Sequence, residues 1–287
     1  MADQPTTSRA FSFEFFPPRN DVGHKRFSAA LRDLAALGPN FVSVTFGAGG
    51  STRDGSFRTV NDILQATRLE VAPHLSCIGS TVEQVRAQLD AYRPLGVKRI
   101  VAIRGDAPEG QGELPMAFPH ADGLVAYIKS LGGFRISVAC YPEFHPQALS
   151  AQADVENFAR KVEAGADEGI TQYFYANAAY ERFVEWARRL GVRVPIIPGL
   201  MPLTNYEQVA RFSKFCGAEI PAWIRKPMEQ YADDADAQNE LGIELGTRQA
   251  EELLRNGAPG IHFYTLNRAE PTVRIWKNLG LPTTSAS

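Results

Sequence analysis

Eight runs of strand length recur along this chain, and their spacing restricts the fold more than any other feature. They are Phe11–Phe16, Phe41–Phe46, Val71–Cys77, Arg99–Ile103, Arg135–Cys140, Gly169–Phe174, Val194–Ile197 and Gly260–Thr265. Each is mostly apolar on both faces, the pattern of strands buried within a parallel sheet. Helical patterns lie between them. Lys25–Leu37 closes at Gly38, Ser80–Leu95 opens on a capping box Ser80-x-x-Glu83, Val155–Ala164 ends at Gly165, and Tyr180–Leu190 ends at Gly191. Thr204-x-x-Glu207 caps a further helix that stops at Cys216-Gly217. Thr247–Asn256 stops at Gly257, and Pro271 opens a last helix through Leu279.

Alternation of strand and helix implies parallel strands joined by crossover helices. Eight such units within 287 residues fit an α/β fold, a single (β/α)8 TIM barrel, which typically takes about 250 residues. The last interval, from Ile197 to Gly260, holds two helical patterns and a loop at Ala222–Asp236, so an extra helix is expected before the last strand. The barrel domain should span 11–281, between flexible ends at 1–10 and 282–287. An open, doubly wound sheet has the same alternation and stays the alternative. It gains no support from a dinucleotide fingerprint, since no Gly-x-Gly-x-x-Gly follows any strand.

Charge and cysteine usage restrict partners and compartment. Thirty basic and 32 acidic residues give a net charge of −2, with no basic footprint for nucleic acid and no polybasic membrane patch. A small-molecule substrate is the natural inference. Three cysteines without a CxxC pair form neither a disulfide framework nor a zinc site, and no apolar run is long enough to span a bilayer. These features point to a cytoplasmic protein. Self-association stays open.

In barrels of this kind the chemistry lies at the carboxyl ends of the strands. Nearly every strand here ends near a polar residue: Glu14, Thr45, His74, Arg104 with Asp106, Tyr141 with His145, Gln172, and Asn267 with Arg268. Singly, each has an ordinary structural explanation. His74 could be a structural histidine, and Arg104 and Asp106 could pair with each other. Glu14 is flanked in sequence by Phe11, Phe13, Phe15 and Phe16, so its carboxyl is expected in an aromatic pocket, kept protonated by desolvation or partnered by arginine. Schiff-base chemistry lacks a strand lysine. The five histidines are scattered, without the His-x-His pair of a metallohydrolase. Proton transfer with tight binding of a large cofactor survives, and no metal is expected.

Longer motifs carry a family resemblance. Phe13–Pro18 (FEFFPP), Phe41–Ala48 (FVSVTFGA), Val101–Asp106 (VAIRGD), Tyr141-Pro142-Glu143 with His145-Pro146, and Lys161-Val162 with Ala164–Asp167 all contribute. Ile170-Thr171-Gln172, Pro198-Gly199 and His262–Glu270 (HFYTLNRAE) complete the series. Over Phe11 to Gly280 the chain resembles the bacterial type of 5,10-methylenetetrahydrofolate reductase, a flavoprotein family built on a (β/α)8 barrel.

That resemblance implies hydride transfer from NADH or NADPH to bound FAD, then from the flavin to methylenetetrahydrofolate, in ping-pong order, in the one-carbon metabolism that feeds methionine synthesis. The family's general acid falls on Glu14, with Asp106 and Gln172 as further catalytic positions. Cofactor contacts carried over by motif are Thr45, Phe46, Ala48, His74, Arg104, Gly105, Asp106, Ala121, Tyr141, His145, Ala148, Asp154, Asn157, Arg160 and Lys161. Substrate contacts are Glu14, Asp106, Gln172, Gln208, Phe212, Leu266 and Arg268. Read alone, Arg160 and Lys161 would be a solvated helix face and Phe212 a core residue. Phe46 stands where some bacterial members carry Tyr, and Tyr173 and Tyr175 replace phenylalanines. Two other readings remain: a flavin-independent reductase, and a barrel that binds folate or flavin without turnover.

Overall fold

The computed structural model of the protein describes residues 9–46, 53–105 and 116–283. Its strands are β1 (Ala10–Phe15), β2 (Phe41–Val44), β3 (Val71–Ser76), β4 (Arg99–Ile103), β5 (Arg135–Cys140), β6 (Glu168–Tyr173), β7 (Ile196–Leu200) and β8 (Gly260–Tyr264). All pair in parallel and in sequence order. β8 closes the barrel on β1, from Ala10↔Gly260 to Glu14↔Tyr264. Around them run α1 (Asp21–Ala35), α2 (Arg53–Ala66), α3 (Val82–Tyr92), α4 (Ala121–Leu131), α5 (Ala151–Glu163), α6 (Asn177–Arg189), α7 (Tyr206–Cys216), α8 (Ala222–Gln230), α9 (Ala235–Arg255) and α10 (Glu270–Asn278). The structure is a (β/α)8 barrel, not an open sheet. Among the described residues, no helix is long and apolar enough to cross a membrane.

Strand side chains alternate between two environments. On the outer face of β1, Phe11 and Phe13 pack edge-on to Trp276 of α10, and Phe15 packs edge-on to Phe27 of α1. Phe13 and Phe15 are fully buried, each worth about 1.5–3 kcal/mol of transfer free energy. The inner face is smaller: Phe41, Ala72, Val101 and Ile170 fill the middle of the barrel. Below them, at the strands' amino ends, Glu168 accepts hydrogen bonds from Arg99, Arg135 and the Ser137 hydroxyl. Arg99 in turn reaches Glu70 at 2.7 Å and lies over the Phe41 ring.

Several local expectations shift. The box at the start of α3 is Thr81 with Gln84, one residue beyond Ser80 and Glu83. α7 is capped by the Asn205 side chain, which accepts from the Gln208 N–H, instead of by Thr204. Both are one-residue ambiguities among neighbouring cap formers. β1 starts at Ala10, and Arg9 donates to the Leu254 carbonyl.

β7 runs through Pro198-Gly199, which were expected to follow it. A proline with no N–H is tolerated there because the β6–β7 register shifts between Ile170 and Tyr173, and the Gly199 N–H donates to the Thr171 hydroxyl. A Cβ on Gly199 would lie 2.3 Å from the Thr171 carbonyl oxygen.

The interval before β8 holds three helices. The segment expected as a loop at Ala222–Asp236 contains α8, whose Ile224 and Met228, four apart, are buried despite Pro227. α9 extends twelve residues upstream of Thr247. A second apolar cluster, including Tyr173, Tyr175, Met201 and Val209, fastens α7 and α8 beside the carboxyl ends of β6 and β7.

Candidate active site

Alternation along β1 that sends the phenylalanines outward sends Ser12 and Glu14 inward. Glu14 therefore does not lie among Phe11, Phe13 and Phe15, its neighbours in sequence. Its carboxylate is buried inside the barrel, with Oε2 3.5 Å from His74 Nε2 of β3 and 3.9 Å from His262 Nε2 of β8. His262 is fixed from behind: its Nδ1 lies 2.7 Å from Ser12 Oγ, and its ring stacks on Phe41 and meets Tyr264 edge-on. The Tyr264 hydroxyl donates to the Thr171 carbonyl at 2.8 Å. Burial, then the Glu14 carboxylate, push that phenol well above its ordinary range. Burial lowers His74 below the usual imidazole value; Glu14 partly opposes this and His262 adds to it.

The histidines that are scattered in sequence thus include two that converge on one carboxylate. His262, Ser12 and Tyr264 are missing from the expected site residues. The Ser12/Glu14 and His262/Tyr264 pairs, each two apart on adjacent barrel strands, are the signal that could have revealed them.

Beside this centre, between β4, β5 and the helices that follow them, is a cavity of about 430 Å³. Arg104, Gly105, Ala121, Tyr141, His145, Ala148, Asp154, Asn157, Arg160 and Lys161, all expected cofactor contacts, line it. Each has a local reason for its position. Gly105 holds φ 81° against the Ser76 hydroxyl, which donates to the Arg104 carbonyl. Tyr141 and His145 pack edge to face at 4.7 Å. Buried Asp154 accepts the His145 N–H and so ties the loop after β5 to the first turn of α5. The Ala148 N–H donates to the His145 carbonyl. Arg160 donates to Asn157, Arg104 to Gln147, and Lys161 Nζ to the Ala139 carbonyl at 2.5 Å. Burial lowers the Lys161 ammonium below its ordinary value. Ala121 opens α4, whose cap residue His120 supplies no side-chain hydrogen bond to the helix.

The other expected residues are distributed around the mouth. Thr45 is buried, and its hydroxyl has no partner among the described residues; Phe46 beside it is half-buried. Gln172 is half-buried, with its side-chain oxygen accepting the Tyr173 N–H. On α7, Gln208 is half-buried and Phe212 is 41% exposed, so Phe212 is not the core residue its type favours. Leu266 and Asn267 take left-handed backbone angles just after β8, and the Asn267 side chain bridges the Phe16 N–H and carbonyl. Arg268 is not brought to the cation-lined cavity: it lines a separate groove with Arg26 and Asp33 of α1. Ala48 and Asp106 lie outside the described residues. A groove of about 720 Å³ along α9 and α10 on the outer surface contains none of these residues.

Comparison with known proteins identifies the family. The chain is 41% identical over 270 residues to the 5,10-methylenetetrahydrofolate reductase of Escherichia coli, covering 94% of this chain and 90% of that one. It is 36% identical to the maize methylenetetrahydrofolate reductase (NADH) 1, covering 95% of this chain and 48% of the maize protein. A solved structure of a Clostridium thermocellum protein, described as binding two copies of 5-methyl-5,6,7,8-tetrahydrofolic acid, shares the fold with a TM-score of 0.62 at 15% identity. The family model for methylenetetrahydrofolate reductase matches residues 2–280, all eight strands included, and the chain belongs to that family.

Proposed function

We propose that this protein reduces 5,10-methylenetetrahydrofolate to 5-methyltetrahydrofolate, with hydride drawn from NADH by way of bound FAD. The observation that carries this reading is the placement of a buried carboxylic acid, Glu14, inside the barrel mouth beside a cavity lined by Arg104, Arg160 and Lys161. The donor set there suits a dinucleotide: three cations and the first turn of α4 favour a diphosphate. The Tyr141 ring, with His145 packed edge-on against it, adds an aromatic surface. FAD, when bound, supplies a two-electron carrier between nicotinamide and folate.

Glu14 delivers a proton to the ring nitrogen of the folate as the five-membered ring opens, leaving the 5-iminium carbon that receives hydride. Gln172 uses its oxygen on the Tyr173 N–H, which leaves its amide N–H groups to meet the pterin or the nicotinamide carboxamide. Thr45 offers a spare hydroxyl to the same partner. Gln208 and exposed Phe212 on α7, with Leu266, edge the mouth where the substrate's flat rings would lie. Arg268 is left to meet the folate's glutamate tail outside the cavity. Asp106 is assigned on its motif alone, as a charge that favours the iminium. One mouth serves nicotinamide and folate in turn, which is a ping-pong order. The NADH-named maize relative supports the choice of donor.

The test is spectroscopic. Purified protein should show a flavin spectrum that NADH bleaches anaerobically and methylenetetrahydrofolate restores. A colourless protein that reduces the folate with NADH would overturn the flavin assignment. A yellow protein that NADH does not bleach would overturn the reductase assignment.

A further inference from the structure

α7 carries two of the expected substrate contacts, Gln208 and Phe212, and rests on the barrel through a narrow seam. Its buried residues are Val209 and Ser213, four apart on one face, and of the two the valine alone is apolar. Gln208 and Phe212, each one position earlier, form the neighbouring stripe, half-buried and exposed. Among the described residues, the hydrogen bonds that join α7 side chains to a strand converge on one atom, the Tyr173 hydroxyl of β6. It lies 3.1 Å from Ser213 Oγ and accepts the Cys216 thiol at 3.2 Å.

Tyr173 is 4% exposed, and its ring is held edge-on by Tyr175 and by Tyr264. Burial, then the Cys216 thiol, push the phenol well above its ordinary range, so it stays a neutral hydroxyl. A phenylalanine would fill the same space and leave Ser213 and Cys216 without this partner. The main chain of the same residue serves the other side of the mouth: the Tyr173 N–H donates to the Gln172 side-chain oxygen at 3.0 Å. One residue thus orients Gln172 through its backbone and α7 through its phenol.

We propose that Tyr173 is a positioning residue, whose hydroxyl on Ser213 and Cys216 sets α7 at the place where Phe212 and Gln208 meet the folate that Gln172 holds. The proposal rests on the reductase reading for the identity of that substrate. Contacts from α7 hold the folate before and during hydride transfer alike. A loosened helix therefore weakens folate binding and leaves the rate at saturation nearly as it was.

Two measurements test this, and the first needs no turnover. In hydrogen–deuterium exchange of the holoprotein, read by mass spectrometry, residues 206–216 should exchange about 3- to 10-fold faster in Tyr173→Phe and Ser213→Ala, the worth of one net hydrogen bond. Ser213→Thr, which keeps the hydroxyl, should restore protection. Tyr175→Phe is the control. It removes a buried phenol of the same cluster, one that donates to the Met201 carbonyl at 3.3 Å and not to α7, so α7 should exchange as in wild type. Unchanged exchange of α7 in Tyr173→Phe overturns the proposal whether or not the protein is a reductase.

The second measurement is stopped-flow oxidation of the reduced flavin by methylenetetrahydrofolate. The half-saturating folate concentration should rise about 3- to 10-fold in Tyr173→Phe and Ser213→Ala, with the limiting rate within about two-fold of wild type. The double variant should be no worse than either single one, because both remove the same bond. Flavin reduction by NADH should be unchanged. Faster exchange of α7 with an unmoved half-saturation, or an equal shift in Tyr175→Phe, overturns the positioning role.

Discussion

His74 and Glu14 come from strands that are not neighbours, yet their side chains meet across the barrel with Nε2 3.5 Å from Oε2. The contact puts the carboxyl of β1 under the mouth, away from the phenylalanines on either side of it in sequence. Burial, opposed by Glu14 and aided by His262, keeps His74 below its ordinary value, so the ring is an uncharged neighbour at neutral pH. Glu14→Gln should then leave NADH-driven flavin reduction within a few-fold of wild type. Folate reduction should fall by roughly 10²–10⁴, the range for loss of a positioned acid. Stopped-flow measurement of the two half-reactions decides it: an equal fall in both would remove Glu14 from the acid's role.

Lys161 lines the cavity half-buried, held by the Ala139 carbonyl with its charge disfavoured by burial. An anionic group bound beside it would relieve that cost. Lys161→Met should weaken FAD binding to the apoprotein by about 10- to 100-fold, the equivalent of one charge-assisted hydrogen bond. Fluorescence titration with flavin checks this. Unchanged affinity would place the diphosphate elsewhere.

Gly105 has φ 81°, and a Cβ there would come within 2.1 Å of Ser76 Oγ. That hydroxyl ties the ends of β3 and β4 together through the Arg104 carbonyl. Gly105→Ala should cost roughly 1–3 kcal/mol from backbone strain and the displaced serine. It should also loosen the flavin, because Arg104 moves with it. Thermal melts with and without added FAD measure both effects, and a variant as stable as wild type contradicts the crowding.

The barrel was legible because eight strands buried on both faces leave eight separate apolar runs, and parallel strands need helices between them. The cavity residues from Arg104 to Lys161 were legible through motifs whose members lie close in sequence. His262 was not. Its partner Ser12 is 250 positions away and meets it only because the last strand closes on the first. The aromatic flank of Glu14 misled for a related reason: adjacent residues in a strand face opposite ways, so neighbours in sequence are not neighbours in space. α8 was obscured by Pro227 within a charged, short segment whose apolar anchors are few.

Glu168 lies at the opposite end of the barrel from Glu14, at the start of β6. Burial alone would raise its carboxyl, but Arg99, the Ser137 hydroxyl and Arg135 outweigh that and hold it below the ordinary value of 4.5. A folded-state value below the unfolded one means the unfolded chain binds more protons in acid. Its stabilisation is therefore complete above the unfolded value and lost as pH falls through the folded one. Glu168→Gln also leaves buried Arg99 without its most buried partner, at roughly 3–5 kcal/mol. Urea midpoints at neutral pH and near roughly pH 4 should show the wild type losing stability in acid. The Gln variant should start lower and fall less over the same interval. Parallel loss in the two proteins would mean that the acid response arises from other carboxylates and that Arg99 is held chiefly by Glu70.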